Sequence, residues 1–405
     1  MEEKTKRKRD CIQMTTWIKR IIAAVIALAM AVGGFLLFGP KTIRGSDFPT
    51  VFVHGYTGWG HYDIHNEDIA YFGLTTGSLE DALNKKGYDV HMASVGPLSS
   101  AWDRACELYA QLTGTVVDYG KEHSERCNHE RFGTDFSANP LIPDWDAGRK
   151  IVLLGHSFGG ATIRLFSEIL ANGSAAEQAA TPPEELSGFF RGGQGDRIHS
   201  LITLAAPTNG TTAYDLFADK NFDPESVSVP RWDKMLAKLF ELRDQGDPDS
   251  RVDYDYADFD MHIDNAQELN SRISTLPNTY YFAVPCSATR KAEDGTQRPV
   301  RFKMEGMFRR TSALMGAYTG VTEGGFVLDE SWQENDGLVN TVSAGAPIGA
   351  PVAEYPSEQY VTGAWYVMPV YHGDHMSLEG GMTKRNKVRP YYLELLELID
   401  SLPRK

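Results

Sequence analysis

The motif Gly155-His-Ser-Phe-Gly159, set between an apolar strand and a helix, restricts the fold of this 405-residue chain more than any other feature. The short apolar run Ile151–Leu154 predicts a buried strand before the motif, and residues 160–171 have the spacing of an amphipathic helix after it. In this context the turn is so tight that small residues are needed two positions before and two positions after the serine, here Gly155 and Gly159, and the serine Oγ is held above the sheet. The sequence therefore predicts Ser157 as a nucleophile, beside a helix N-terminus that favours negative charge.

Short, continuously apolar segments alternate with helical patterns along most of the chain. Such strands are typical of a mostly parallel sheet with helices on both faces, so we predict one α/β domain over residues 45–405. Residues about 97–140, 210–260 and 287–335 interrupt the alternation and are interpreted as insertions. The predicted strands cover residues 48–54, 88–95, 151–154, 201–205 and 279–284, and the predicted helices cover residues 78–86, 101–119, 160–171 and 391–402.

Residues 1–44 form a basic leader that differs from the rest of the chain. They hold nine Lys and Arg against three Asp and Glu, although the whole chain has a formal net charge of −14. Basic residues precede an uncharged apolar run at residues 21–38, which is long enough to cross a bilayer and favours an exported body. We expect an extracellular protein, either secreted after signal cleavage or anchored by residues 21–38. The acidic body argues against a nucleic-acid partner.

A serine nucleophile needs a histidine as general base and an acid that orients the histidine. With a strand–turn–helix nucleophile, both follow the serine and the acid comes first. His375 lies in a loop just before the last predicted helix and is the predicted base, with His372 as the alternative. His199 begins a predicted core strand and His262 lies in an insertion, so neither is favoured.

The acid is predicted just before Gly337, where an irregular segment ends and apolar residues follow. A short acidic side chain before glycine at a strand end can point across the site, so Asp336 is preferred over Asp329. Asp374 also competes, but it directly precedes His375 and would orient that ring poorly.

Two backbone N–H groups are needed to bind the oxyanion of the tetrahedral intermediate. One is predicted from Phe158, the residue after the nucleophile. The other is predicted from Tyr56, in the loop after the first strand, where Gly55 allows a close approach. Trp59 in the same loop would line an apolar acyl pocket.

Several longer segments are specific enough to indicate a family. They are Val95-Gly-Pro-Leu-Ser-Ser-Ala-Trp-Asp-Arg-Ala-Cys-Glu-Leu-Tyr-Ala-Gln-Leu112, Val117-Asp-Tyr-Gly120, Arg131-Phe-Gly133, Pro277-Asn-Thr-Tyr-Tyr281 and Glu334-Asn-Asp-Gly-Leu-Val-Asn-Thr-Val-Ser343. Over roughly residues 48–402 the chain resembles the large zinc-containing lipases of thermophilic bacilli and staphylococci. The resemblance implies an α/β-hydrolase core, a helical lid, a structural zinc and the triad Ser157, Asp336 and His375.

The zinc ligands follow from the resemblance rather than from spacing. His123 and His129 lie six residues apart in a polar stretch, which alone is as typical of a solvated loop as of a metal site. The resemblance adds Asp103, in the first family segment, and Asp255, which fits the second aspartate better than Asp253 does. Two imidazoles and two carboxylates would give a tetrahedral site with no open position, as in structural zinc sites.

The chain also departs from the family pattern. Many members bind calcium with acidic residues after the catalytic histidine, but Ser377 stands where a Glu would and the following Asp-Pro is absent. We therefore expect no calcium site, although Glu379 offers a substitute ligand. The region between Thr212 and Asp255 is shorter than in the thermophilic members, so a lid at Trp232–Arg243 would be reduced.

These features predict a serine ester hydrolase, and first among these a triacylglycerol lipase that acts on lipid at a membrane or lipid-droplet surface. A short-chain carboxylesterase or a phospholipase would use the same residues, and the sequence does not separate them. A non-enzymatic alternative is a membrane-tethered protein that binds lipid or a partner without catalysis. The presence of all three triad residues argues against this alternative. The oligomeric state is left open.

Overall fold

The computed structural model describes residues 48–404, apart from residues 67, 144, 146–148, 220 and 228–251. Within this part of the chain, seven strands form one sheet in which every neighbouring pair runs parallel. The predicted parallel sheet is therefore confirmed. Its strands are β1 (Thr50–Val53), β2 (Val90–Ala93), β3 (Ile151–His156), β4 (Ile198–Leu204), β5 (Tyr280–Val284), β6 (Val352–Ala353) and β7 (Trp365–Val367), in the spatial order β6-β7-β5-β4-β3-β1-β2.

Helices fill most of the connections between these strands. They are α1 (Leu79–Asn84), α2 (Ala101–Thr113), α3 (Lys121–Cys127), α4 (Gly159–Asn172), α5 (Ala175–Ala180), α6 (Gly188–Arg191), α7 (Thr212–Ala218), α8 (Ala257–Met261), α9 (Ile263–Arg272), α10 (Arg309–Met315) and α11 (Val388–Ser401).

Helix α4 carries the apolar face that the sequence predicts. Ile163, Phe166 and Leu170 are fully buried, and α4 packs on β3, β4 and α2. These side chains belong to a large apolar core that also includes Val51 and Leu153 from the sheet. Because α4 begins two residues after Ser157, this packing holds the turn around the serine rigidly.

The helix predicted over residues 101–119 is too long. Helix α2 ends at Thr113, because Gly114 adopts a left-handed conformation with φ of 63° and caps it. The β-branched residues that follow form a short strand, Val116–Asp118, which pairs antiparallel with Phe132–Asp135.

The predicted insertions at 210–260 and 287–335 contain only short elements where the structure describes them. Within 287–335, Thr289–Lys291 pairs with Gln297–Pro299, and Gly320–Val321 pairs with Val327–Leu328. The sequence did not predict β6 and β7, which have only two and three residues. The predicted lid at Trp232–Arg243 lies outside the described residues.

The order of the strands determines where a site can form. β1 lies between β2 and β3. The chain therefore continues from β1 to β2 on one side of β1 and then crosses to β3 on its other side. Ligands of open α/β sheets bind beside the carboxyl ends of strands at such a switch point. Val53 of β1 pairs with Gly155 of β3, so the loop after β1 lies directly beside Ser157.

The basic leader and the apolar run at residues 21–38 lie outside the described residues. Among the described residues, no helix has the length and hydropathy needed to cross a bilayer.

Candidate active site and metal centre

The turn between β3 and α4 holds Ser157 in a strained conformation. Its φ is 53°, in the left-handed region that a side chain with a Cβ rarely adopts. A Cβ at Gly155 would lie 2.4 Å from the carbonyl oxygen of Gly159, and a Cβ at Gly159 would lie 2.3 Å from that of Val53. Both glycines are therefore sterically required, as the motif predicts, and the strain is maintained by the packing around the turn.

The loop after β1 touches the serine. A Cβ added at Gly55 would lie 2.7 Å from the Cβ and 3.1 Å from the Oγ of Ser157, so the backbone comes this close only without a side chain. This brings the next residue, Tyr56, to the same end of the sheet as Phe158. Phe158 precedes the first turn of α4, where backbone N–H groups have no partner within the helix. The two predicted oxyanion donors thus flank the serine.

His375 lies against the serine hydroxyl. Its Nε2 is 2.9 Å from Ser157 Oγ, and its Nδ1 is 2.9 Å from Oδ2 of Asp336. All three side chains are buried. If Nδ1–H donates to the carboxylate, Nε2 carries the lone pair that accepts the serine proton, which is the arrangement of a Ser-His-Asp triad.

The Asp336 carboxylate is oriented by the backbone of its own turn. Its Oδ1 accepts hydrogen bonds from the N–H groups of Leu338 at 3.0 Å and Val339 at 2.8 Å. Asp336 lies within a turn rather than at a strand end, and its N–H closes that turn onto the Val339 carbonyl at 3.1 Å. With Oδ1 occupied in this way, Oδ2 is left to face His375.

The charge around His375 favours its protonated form. Burial opposes protonation, but the carboxylate of Asp336, with Glu379 and Asp374, prevails and raises the pKa of His375 above its ordinary value. A base with a raised pKa is well suited to accept the proton of a serine hydroxyl.

The other candidate histidines do not reach the serine. His372 is exposed. The Nε2 of His199 lies 3.2 Å from the Pro403 carbonyl, and the Nδ1 of His262 lies 2.9 Å from Asp215.

The two competing acids have other roles. Asp329 is exposed and caps a short turn through the N–H of Ser331. The Asp374 carboxylate accepts hydrogen bonds from the Ser377 hydroxyl and from the Glu305 N–H, both at 2.7 Å. Neither therefore orients His375.

Ser157 and His375 open into an apolar cavity of about 460 Å³. Its walls carry aromatic and aliphatic side chains from the loop after β1 and from segments on either side of the triad. Tyr56 and Trp59 line it, as the sequence predicts. The other apolar residues of the wall are Ile69, Tyr71, Leu74, Ala213, Tyr214, Met261, Met307, Phe308, Leu338, Val339, Met376 and Met382.

The four predicted zinc ligands come together away from the triad. His123 Nε2 is 3.0 Å from Asp103 Oδ1 and 3.3 Å from Asp255 Oδ1, and His129 Nε2 is 3.4 Å from Asp255 Oδ2 and 3.8 Å from Asp103 Oδ1. Ligands bound at 2.0–2.1 Å to a tetrahedral zinc are about 3.3 Å apart, so these spacings suit one ion. The ligands come from α2, α3, the residue stretch after α3 and the residues before α8.

Two buried atoms of the cluster lack the partners they need. Within the described part of the chain, neither His129 Nε2 nor Asp255 Oδ2 makes a hydrogen bond. His129 Nδ1 lies 2.8 Å from the Glu130 carbonyl and donates its hydrogen there, so the lone pair of Nε2 faces the carboxylates. The two carboxylates repel each other and the Nε2 lone pair unless a cation lies between them. The residues present therefore fit a divalent cation.

Cys127 offers another ligand atom that the sequence reasoning missed. Potential ligand atoms of His123, Cys127, His129 and Asp255 all lie within 4.8 Å of one another. However, Cys127 Sγ lies 3.7 Å from Nδ1 of His123, whereas Asp103 and Asp255 face Nε2. Arg126 also donates to His123 Nδ1 at 3.1 Å, and its half-exposed side chain pairs with Glu122 as well.

Comparison with known proteins identifies the family. Residues 46–228 and 249–398 match the family model described as "Lipase-like, C-terminal domain". Lipase 2 of Staphylococcus aureus is 31% identical over 360 residues, which cover 82% of this chain and 50% of that protein. Lipase 1 of Staphylococcus aureus is 30% identical with the same coverage. The chain thus spans about half the length of the curated relatives it matches.

Solved structures share the fold. EstA from Clostridium botulinum has a TM-score of 0.76 at 30% identity, with 90% of each chain covered. Staphylococcus hyicus lipase has a TM-score of 0.73 at 27% identity, with 89% of this chain and 97% of that chain covered. The predicted α/β-hydrolase fold and the resemblance to staphylococcal lipases are confirmed. Because the family model matches most of the chain, this protein belongs to the lipase-like family of α/β-hydrolases.

Proposed function

We propose that the protein is a serine hydrolase that cleaves carboxylic esters of lipids through an acyl-enzyme, as a triacylglycerol lipase does. The observation that carries the proposal is the hydrogen-bonded series from Ser157 Oγ through His375 to Asp336, with 2.9 Å at both steps, in the wall of an apolar cavity. The names of the relatives, Lipase 1 and Lipase 2, support it independently.

In the proposed mechanism His375 Nε2 takes the proton of Ser157 as Oγ attacks the ester carbonyl carbon. The N–H groups of Tyr56 and Phe158 stabilise the oxyanion of the tetrahedral intermediate. His375 then protonates the leaving alcohol, and the acyl group remains on Ser157. Water, activated by His375, releases the carboxylic acid and restores the hydroxyl.

The cavity supports lipids as the substrate class. Apart from the triad, most of the residues in its wall are apolar or aromatic, which suits an acyl chain more than a polar ligand. Ser157 and His375 also line the cavity, so an acyl chain bound there would have its ester carbonyl within reach of the nucleophile.

The experiment compares the wild-type chain with Ser157→Ala. We expect hydrolysis of p-nitrophenyl esters and covalent labelling by a fluorophosphonate in the wild type, and neither in the variant at unchanged circular dichroism. Hydrolysis that survives in Ser157→Ala, or a wild type that is neither active nor labelled, would contradict the proposal. The second outcome would favour a lipid- or partner-binding protein.

We also propose that Asp103, His123, His129 and Asp255 hold a zinc ion with a structural role. A zinc with four protein ligands has no open position for water or substrate, so it would supply no chemistry to the ester reaction. It would join α2 and α3 to the residues before α8, which are distant in the sequence. The spacings of 3.0–3.8 Å and the unsatisfied Nε2 of His129 support this.

A further inference from the structure

A buried carboxyl group lies behind the nucleophile turn. Glu379, four residues after His375, is fully buried, and neither of its carboxyl oxygens makes a hydrogen bond of normal geometry within the described residues. Its Oε1 lies 2.9 Å from Nε2 of His156, the residue that precedes Ser157. Burying a carboxyl group without hydrogen bonds costs free energy, so we expect a role of Glu379 in the active site that offsets this cost.

His156 links this carboxyl group to both halves of the site. Its Nε2 lies 3.0 Å from the carbonyl oxygen of His375, and its Nδ1 lies 2.7 Å from the hydroxyl of Tyr71. That hydroxyl accepts the N–H of Gly55 at 3.1 Å, at the start of the loop that carries the proposed oxyanion donor Tyr56. One connected series of contacts therefore runs from Glu379 to the base and to the oxyanion loop.

The hydrogens of this series can be assigned. The carbonyl oxygen of His375 can only accept, so the hydrogen of His156 lies on Nε2, and Nδ1 accepts from the Tyr71 hydroxyl. That N–H donates to the His375 carbonyl, with Glu379 beside it. Burial, with the nearby His375, lowers the pKa of His156 well below its ordinary value, so His156 is neutral.

The charged form of Glu379 is coupled to that of His375. Burial raises the pKa of Glu379 well above its ordinary value, and the nearby His375 opposes that rise. Conversely, Glu379 helps to raise the pKa of His375. The carboxylate and the imidazolium therefore stabilise each other, and the His156 ring, whose centroid lies 4.8 Å from that of His375, contacts Glu379 through Nε2.

Other titratable groups face Glu379 from several elements. Asp336 and Asp374 are acids that favour its neutral form. The remaining groups are weak acids that burial keeps neutral by raising the pKa of each: Tyr71, Tyr371, Tyr392 and Cys286.

We propose that Glu379 is a positioning residue for the ester hydrolysis proposed above: through His156 it fixes the loops that carry His375 and Gly55, and its carboxylate stabilises protonated His375. The inference rests on the proposed function of Ser157. Because Glu379 is fully buried, it does not touch the substrate, and its removal affects kcat rather than KM.

The test uses Glu379→Gln, which keeps the shape and removes the charge, in the full chain with a p-nitrophenyl ester. We expect kcat to fall about tenfold with KM within about twofold, and the acidic limb of kcat/KM to move down by about half a pH unit or more. In Glu379→Asp, which keeps the charge, the acidic limb of kcat/KM lies closer to its wild-type pH than in Glu379→Gln. Glu107→Gln removes another, partly buried carboxylate, one that accepts the Gly96 N–H and the Tyr119 hydroxyl, and leaves the limb in place.

If Glu379→Gln does not fold, Glu379→Leu takes its place, since an apolar side chain often replaces a buried charge without loss of stability. A folded variant with unchanged kcat and an unmoved limb overturns the proposal, as does a Glu379→Asp variant that shifts the limb as far as Glu379→Gln. Titration of the His375 imidazole by NMR needs no substrate. It therefore tests the inference even if the wild type hydrolyses no ester, an outcome that would count against the proposed function alone.

Discussion

His375 and Asp336 are joined twice. The Nδ1 of His375 lies 2.9 Å from Oδ2 of Asp336, and the backbone N–H of His375 donates to the Asp336 carbonyl oxygen, also at 2.9 Å. The backbone contact fixes the two loops relative to each other, and the side-chain contact fixes the plane of the imidazole. The acid therefore orients the base through the main chain as well as through its charge.

Asp336→Asn should lower kcat by about 10⁴ while the protein stays folded. The amide oxygen can keep the hydrogen bonds that Oδ1 accepts from Leu338 and Val339, so the NH₂ group then faces His375. An NH₂ donor forces the ring hydrogen onto Nε2. That hydrogen then points at Ser157, and Nε2 has no lone pair with which to accept the serine proton. Steady-state kinetics with a p-nitrophenyl ester measure the loss.

Asp329→Asn is the matched control, because this exposed aspartate caps a turn away from the triad. Its activity should stay within about twofold of the wild type, as is usual for exposed residues. An Asp336→Asn variant that keeps a tenth of the wild-type kcat would remove Asp336 from the proposed triad.

The acidic limb of the activity profile should lie above pH 6.5. His375 must be neutral to accept the serine proton, and the nearby carboxylates raise its pKa above the ordinary histidine value of about 6.5. Activity should thus be lost as the pH falls through the raised pKa of His375. The check is kcat/KM between about pH 5 and 9, and a limb centred below pH 6 would contradict the assignment.

The sequence predicts the nucleophile turn well because the signals for it are local. The apolar strand, the two glycines and the start of α4 lie within one short segment. The strands β6 and β7 escaped prediction because two or three residues carry no periodic signal. The contact between Glu379 and His156 has no local signal either, since it depends on how a loop near the C-terminal helix packs behind β3.

The end of α2 illustrates a different limit. The apolar pattern continues through Val117, but Gly114 at φ of 63° closes the helix before it. A glycine within a helical pattern can be tolerated or can end the helix, and only the packing decides between the two.

Gly159→Ala should destabilise the protein by about 3 kcal/mol or more. The new Cβ would lie 2.3 Å from the Val53 carbonyl oxygen, and the nearest obstacles are backbone atoms of Val53 and His54 at the end of β1, which cannot move aside. Gly306→Ala is the control, because among the residues that the structure describes no heavy atom lies within 4 Å of its added Cβ. Urea unfolding compares the two, and equal midpoints would mean that the turn is looser than described.

The metal cluster should hold about one zinc per chain, measured on protein purified without chelator. His129→Ala and Asp103→Ala should each lose most of that zinc and lower Tm by about 5 °C or more, because a ligand that binds only the folded state stabilises it. Cys127→Ser should keep the zinc, since Cys127 lies on the Nδ1 side of His123.

His91→Ala serves as the control for loss of a histidine, because His91 contacts Asp89 outside the cluster. If Asp103→Ala keeps its full zinc content, or if Cys127→Ser loses its zinc, the fourth ligand is Cys127 and not Asp103.

Leu74→Trp should change the preferred acyl length without affecting the reaction itself. The half-buried Leu74 side chain lines the same cavity as Ser157, and a larger indole would occupy part of its volume of about 460 Å³. A short acyl chain needs little of that volume, whereas a long one competes with the indole. We expect kcat/KM for long-chain p-nitrophenyl esters to fall by about tenfold or more and that for butyrate to stay within about twofold, since each excluded methylene contributes roughly 1 kcal/mol. Val321→Trp, at an exposed position, is the control for added bulk. Equal losses on short and long esters would mean that the cavity does not hold the acyl chain.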